Sequence, residues 1–202
     1  MAIANRWTMA ARTSWTLGAF FVIAVAFCTG PGAALGEETS AHRFVGAAKC
    51  KTCHKKEGIG NQYGIWLESK HAKAYETLAG EQAAEWAADV GIADPQADEK
   101  CVKCHVTAYG VPEERLSRKF KKTLGVQCEA CHGAGKDYRK KKIMIDQELA
   151  VSKGLVLQSA EVCTTCHNDE SPAWKPDFDQ AVEEIVHPVP EGYDPLAEGE
   201  AD

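Results

Sequence analysis

Hydrophobic residues along the chain form one long run near the N-terminus and several short periodic segments after it. The run covers residues 15–28 and contains no charged side chain. In residues 61–78, 81–90, 141–154 and 178–186, apolar side chains recur every three or four positions between charged ones. This spacing is typical of amphipathic helices, so the sequence predicts a helix in each of the four segments.

The connections between these segments are rich in helix-breaking residues, and strand signals are weak. Gly91, Pro95, Gly110 and Pro112 interrupt the middle of the chain. Residues 113–124 are strongly charged and predict either a helix or a loop. The predicted fold class is therefore mostly α, a compact arrangement of helices with long irregular loops.

The N-terminal run has the features of an export signal. Arg6 and Arg12 precede it, and small residues follow it up to Gly36. The run is shorter than the roughly 20 residues that span a bilayer, so we expect a signal peptide rather than a retained anchor. The expected organisation is a signal peptide at residues 1–36, one domain at 37–190 and an acidic flexible tail at 191–202. Cleavage near Gly36 would leave a periplasmic protein without a membrane span.

Four copies of the pattern Cys-x-x-Cys-His account for eight of the nine cysteines. In c-type cytochromes, two thiols at this spacing form thioether bonds with haem, and the next histidine binds the iron. The sequence therefore predicts four covalent haem c groups. The attachment cysteines are Cys50, Cys53, Cys101, Cys104, Cys128, Cys131, Cys163 and Cys166, and the iron-binding histidines are His54, His105, His132 and His167.

Zinc and disulfides are the alternatives for these cysteines. Paired Cys-x-x-Cys knuckles also build structural zinc sites, and an exported protein with an even number of cysteines often contains disulfides. Neither alternative explains why a histidine follows every pair, because the chain has only seven histidines in 202 residues. Haem is the interpretation that accounts for all four copies.

Charge and length restrict the function further. Without Arg6 and Arg12, the chain carries 21 basic and 29 acidic residues, which argues against a nucleic-acid partner. Residues 37–202 provide only about 42 residues for each haem, so we expect haem to form much of the core. Basic residues flank the third motif at 118–122 and 136–142, where they either form a solvated face or bind an acidic redox protein.

The remaining histidines are too few to complete four irons. Beyond the motifs, the chain has only His42, His71 and His187. Each haem iron has a second axial position, which takes histidine, methionine or another ligand, or stays open. At least one haem must therefore have a different axial ligand or an open face.

The chain resembles the tetrahaem cytochrome c-554 family over nearly all of residues 37–202. The resemblance rests on WLESKHAKAYETL after the first motif, CVKCHVTAYG, GVQCEACHGAGKDYR and CTTCHNDESPAWKPDFDQAVEEIVH. It implies a compact helical tetrahaem electron carrier with paired haems, three six-coordinate irons and one five-coordinate iron. It also implies that His71 lies opposite His132, that His187 lies opposite His167, and that the haem on His105 is open.

The first haem is where the chain departs from the family pattern. The family takes its distal histidine from the stretch after the third motif, which here reads KDYRKKKIMID. Met144 in that stretch and His42, eight residues before Cys50, are the two candidate ligands.

The expected function is electron transfer between redox partners, with no catalytic residues. The alternative is an enzyme that reduces nitric oxide, nitrite or hydroxylamine at the open haem, for which Lys103, Thr107 and Tyr109 are unconvincing proton donors.

Overall fold

The computed structural model describes residues 42–171, 178–187 and 189–192, and all of them belong to the second of two compact units, Glu38–Asp202. The signal peptide, its cleavage site and most of the acidic tail lie outside the described residues. The helices are α1 Ala47–His54, α2 Gln62–Glu68, α3 Ala74–Thr77, α4 Glu81–Asp89, α5 Glu99–His105, α6 Cys128–His132, α7 Lys141–Met144, α8 Gln147–Ser152, α9 Ala160–Thr164 and α10 Phe178–Ile185.

Two of the four predicted helices form as expected, and two are divided. α4 and α10 match the predictions for residues 81–90 and 178–186. The segment 61–78 divides at Ser69, whose backbone is extended and whose hydroxyl donates to Trp66 O at 2.6 Å. The segment 141–154 divides at Asp146, because its carboxylate accepts a hydrogen bond from Leu149 N and caps α8.

Within the described residues, strand pairing is limited to an isolated bridge between Phe44 and Leu116. It belongs to residues 42–46, an extended segment that we call the N-terminal strap. The Phe44 amide donates to Arg115 O, the Ser117 amide donates to Phe44 O, and the Phe44 and Phe120 rings pack edge to face. The predicted class, mostly α with long irregular connections, is confirmed.

The polypeptide buries few large apolar side chains. The buried hydrophobic residues of the described part are Val45, Ala47, Ile59, Ala74, Leu78, Ala87, Val102, Val106, Ala134, Tyr138 and Ala150, and five of them are alanines. Leu78, Val102 and Val106 form the hydrophobic cluster where α3 meets α5. In the same part of the chain, no helix combines the length and hydrophobicity that crossing a bilayer requires.

Candidate haem-binding site

Each Cys-x-x-Cys-His motif lies on a single helical turn. The first and second motifs form the C-terminal ends of α1 and α5, and the third motif is the whole of α6. The fourth begins in α9 and continues as a turn in which His167 N donates to Cys163 O at 2.9 Å. Residues three and four apart share a helix face, so each turn presents its two thiols and its imidazole on one side.

Neighbouring groups lie within hydrogen-bonding distance of Nδ1 in His54, His105 and His132. His54 Nδ1 lies 3.1 Å from Gln62 Oε1, and His105 Nδ1 lies 2.6 Å from Ala74 O. His132 Nδ1 lies 3.1 Å from the side-chain amide nitrogen of Gln158. The acceptors beside His54 and His105 fix the orientation of an imidazole that binds metal through Nε2, which is the usual arrangement around ligating histidines.

The cysteines show that the motifs are close to one another. The Cys50 thiol is in hydrogen-bonding contact with Cys128, and this contact holds the Cys50 pKa above its usual range. Burial and then the neighbouring Cys166 thiol raise the pKa of Cys104 to about 11. Burial and then Cys163 raise the pKa of Cys131 to about 11. The motifs therefore follow one another in space in the order first, third, fourth, second.

Two pairs of histidine rings face each other at a distance that suits an iron between them. The centroids of His71 and His167 are 6.0 Å apart, and those of His132 and His187 are 5.9 Å apart. A metal–nitrogen bond is about 2 Å long, and the centre of an imidazole ring lies about 1 Å beyond the nitrogen that binds. Two imidazoles that bind one iron from opposite sides therefore have ring centres about 6 Å apart.

These pairs exchange the partners that the family resemblance implied. His71 lies beside the histidine of the fourth motif instead of the third, and His187 lies beside that of the third motif instead of the fourth. Burial, followed by the charge of the facing ring, lowers the pKa of His71 and of His132. Neutral imidazole is the form that binds metal, so the environment of both pairs favours the ligating state.

His71 is positioned by the loop that precedes the third motif. Its carbonyl accepts a hydrogen bond from Val126 N at 2.9 Å, and Trp66 Nε1 donates to Val126 O at 2.7 Å. Gly125 allows this contact, because its φ is +71° and a Cβ there would lie 2.6 Å from His71 O. The turn between α2 and α3 is therefore fixed against the start of the third motif.

Replacing Gly125 with alanine should destabilise the protein by about 3 kcal/mol or more. The backbone at Gly125, with φ 71° and ψ −144°, costs about 1–3 kcal/mol for a residue with a Cβ, and the clash with backbone adds about 1–3 kcal/mol. Gly110→Ala is the control, because its φ is +69° but a Cβ would meet nothing within 4 Å. Denaturant unfolding of both variants measures the difference, and equal losses of stability would contradict the close-contact explanation.

The two candidate ligands for the first haem both lie near the contacting pair α7 and α8. Met144 is the half-buried last residue of α7. His42 packs against Gly154, two residues after α8, and its Nδ1 lies 2.7 Å from Asp137 Oδ2. Arg115 Nη2 donates to His42 O at 2.9 Å and holds this end of the strap.

Sequence reasoning missed a buried polar network that joins three of the motifs. Thr107, which follows the second motif, donates to Gly125 O and accepts from Gln127 N. Gln127 Oε1 accepts from Ala47 N at the start of α1, and Glu129 accepts from the strap amides. A glutamate between the two cysteines of the third motif, surrounded by small and apolar residues, was the available sequence signal.

The residues present fit haem c. Each helical turn offers two thiols and one oriented imidazole, and four histidines form two facing pairs at the separation of axial ligands. The helical fold with these motifs defines a multihaem c-type cytochrome.

Comparisons with known proteins agree with this class. The family described as "Cytochrome c554 and c-prime" matches residues 49–133, which include the first three motifs. Cytochrome c-554 of Nitrosomonas europaea is 32% identical over 148 residues, which cover 65% of this chain and 61% of that protein. The structure of reduced cytochrome c554 from Nitrosomonas europaea matches with a TM-score of 0.53 and 26% identity, over 74% of this chain and 86% of that one. These similarities support the resemblance to the cytochrome c-554 family that the sequence indicated, and the chain spans 61% of the length of the curated relative.

Proposed function

We propose that this protein is a periplasmic electron carrier that holds four haem c groups and relays electrons between redox proteins. The observation that carries the proposal is the pair of facing histidines, His71 with His167 and His132 with His187, about 6 Å apart. When bound, haem c supplies a one-electron iron couple. The spatial series of the motifs supports a continuous path through the protein, because every motif lies beside at least one other.

The chain's own residues would supply the ligands as follows. His54, His105, His132 and His167 would each bind the iron of their own motif. His187 would be the second ligand to the haem of the third motif, and His71 the second ligand to the haem of the fourth. We assign His42 to the first haem in preference to Met144, because the Asp137 carboxylate at Nδ1 orients the ring as carboxylates commonly orient metal-bound histidines. The haem on His105 then keeps an open axial position.

A small-molecule reductase at the haem of the second motif is the second candidate function. An open cavity of about 260 Å³ lies against α5 and is lined by Val102 and Val106 together with Tyr75, Gln96, Tyr109, Lys122 and Thr123. The three proton donors considered from sequence are all engaged: Thr107 is buried and bonds to Gly125 O, Lys103 pairs with Glu170, and Tyr109 donates to Glu99. Electron transfer is favoured, because reduction would also need proton donors directed at the open face, and of these three side chains only Tyr109 lines the cavity.

Mass spectrometry and electron paramagnetic resonance of the oxidised holoprotein test the proposal. We expect four covalent haem adducts on the exported chain, three low-spin ferric signals and one high-spin signal that responds to nitric oxide. A sulfur-to-iron charge-transfer band would assign Met144 to the first haem in place of His42. Fewer than four adducts, or reversibly bound zinc, would contradict the function. Reduction of nitric oxide, nitrite or hydroxylamine over many turnovers, lost in His105→Ala, would favour the enzyme.

A further inference from the structure

The Glu129 carboxylate lies inside the protein between the first and third motifs. Its side chain is 2% exposed, and it lies directly after Cys128, whose thiol contacts Cys50. Both oxygens are fully used: Oε1 accepts from Val45 N at 2.8 Å and from Gly135 N at 2.7 Å, and Oε2 accepts from Gly46 N at 2.7 Å. A buried acid with this many partners has a specific role in its surroundings.

The hydrogen bonds require the ionised form of Glu129. All three partners are backbone N–H groups, which only donate, and a protonated oxygen would have to donate towards another donor. The strap turns at Gly46, where φ is +84°, so consecutive amides converge on the carboxylate as in an anion-binding nest. They precede the first residues of α1, whose N-terminus also favours a negative charge.

Opposing effects act on this carboxyl. Burial is the largest effect and raises the pKa of Glu129, and the three backbone amides and the charge of Arg139 partly offset this rise by favouring the ionised state. The charge of Glu129 in turn disfavours ionisation of Cys50 and Tyr138, which shows that its field reaches the first motif. Arg139 is exposed and acts on Cys50 with the opposite sign.

We infer that Glu129 lowers the reduction potentials of the first and third haems by holding a buried negative charge between their attachment motifs. This inference rests on the proposed attachment of haem to all four motifs. A negative charge favours ferric over ferrous iron, because ferric iron carries one more positive charge, and burial reduces the screening by solvent. Glu129 is therefore a positioning and tuning residue, and it touches neither the iron nor a substrate.

Glu129→Gln is the direct test, and its readout is the set of four midpoint potentials. Spectroelectrochemistry should show that two of the four midpoints rise while the other two stay in place. We expect a change of about tenfold in each affected reduction equilibrium constant, which for one electron is about 59 mV. The haems that shift should be those on Cys50 and Cys128, identified by their low-spin resonance signals. No shift, or an equal shift of all four midpoints, would overturn the inference.

Two control variants separate charge from structure. Gln127→Met removes a neutral member of the same network, which binds Ala47 N, so it should lower the melting temperature and leave the midpoints unchanged. Glu161→Gln removes an exposed carboxylate two residues before Cys163 of the fourth motif, so it should leave the midpoints of the first and third haems unchanged. Midpoints that rise as much in Gln127→Met as in Glu129→Gln would assign the effect to loosening of the strap and overturn the inference.

A further variant covers the case in which Glu129→Gln yields no holoprotein. Arg139→Gln removes an exposed positive charge that acts on the same region, so it should lower the same two midpoints by less than tenfold. Unchanged midpoints in this variant would also overturn the inference. Haem adducts are counted by mass in every sample: fewer than four in the native protein contradicts the proposed function, whereas four adducts with unshifted midpoints contradict only the role of Glu129.

Discussion

Replacing His71 with alanine should convert the haem of the fourth motif from six-coordinate to five-coordinate and leave the haem of the third motif unchanged. The reason is the facing arrangement of His71 and His167, whose ring centres are 6.0 Å apart. Electron paramagnetic resonance should lose one low-spin signal and gain a second high-spin signal. Since an axial imidazole is lost completely, the conversion should involve a full iron equivalent.

His187→Ala is the matched variant. His187 faces His132 at 5.9 Å, so this substitution should open the haem of the third motif. Double variants, in which one motif histidine is also replaced by Gln, identify the affected haem. If both replaced histidines belong to the same iron, the double variant loses one low-spin signal; if they belong to different irons, it loses two. If His71→Ala instead opened the haem on His132, the order of partners implied by family resemblance would be right and the order in this structure wrong.

The helical turns that carry the four Cys-x-x-Cys-His motifs could be predicted from sequence because their geometry is local. Two thiols and an imidazole within five residues form one helical turn, and all four motifs lie on such turns or begin in one. The mostly α fold followed equally from apolar periodicity, and α4 and α10 formed where it predicted them. Both features depend on neighbours along the chain.

The pairing of distant histidines could not be predicted in the same way. His71 is 96 positions from His167 and 61 from His132, and neither separation determines which ring it meets. The choice depends on where the turn after α2 is fixed, and that depends on Val126 N, Trp66 and the absence of a side chain at Gly125. Such contacts arise from packing, which has no short sequence signature.

The buried network shows a second limit. Among the residues that the structure describes, the largest fully buried side chains are Gln127 and Thr107, both polar, where a rule based on hydrophobicity would place apolar residues. They are buried because the strap and the segments around the third motif leave backbone amides that need acceptors. The same side chains show that the polypeptide interior holds these segments together by hydrogen bonds more than by apolar contact.

Apolar side chains that the polypeptide leaves exposed point to where haem contributes to stability. Ile145, Leu149, Val151, Val156 and Leu157 lie between the third and fourth motifs, and each is at least 37% exposed. Exposed apolar side chains so concentrated in one stretch of the chain suit a hydrophobic group that covers them. The porphyrin faces attached to the neighbouring motifs would supply that group.

A variant with alanine at all eight motif cysteines should therefore lose cooperative folding altogether. The described residues bury few apolar side chains larger than alanine, and such a core cannot offset the conformational entropy of the chain without haem. The full stability of the holoprotein, typically about 5–15 kcal/mol for a domain, should be lost. Circular dichroism during thermal unfolding measures the loss of the cooperative transition, with the native holoprotein and Cys101→Ala/Cys104→Ala as references.

The double variant loses one haem attachment at the end of the spatial series of motifs and should keep a cooperative transition at a lower temperature. A cooperative transition with native helical content in the eightfold variant would show that the polypeptide folds by its own core and that haem is an addition to it.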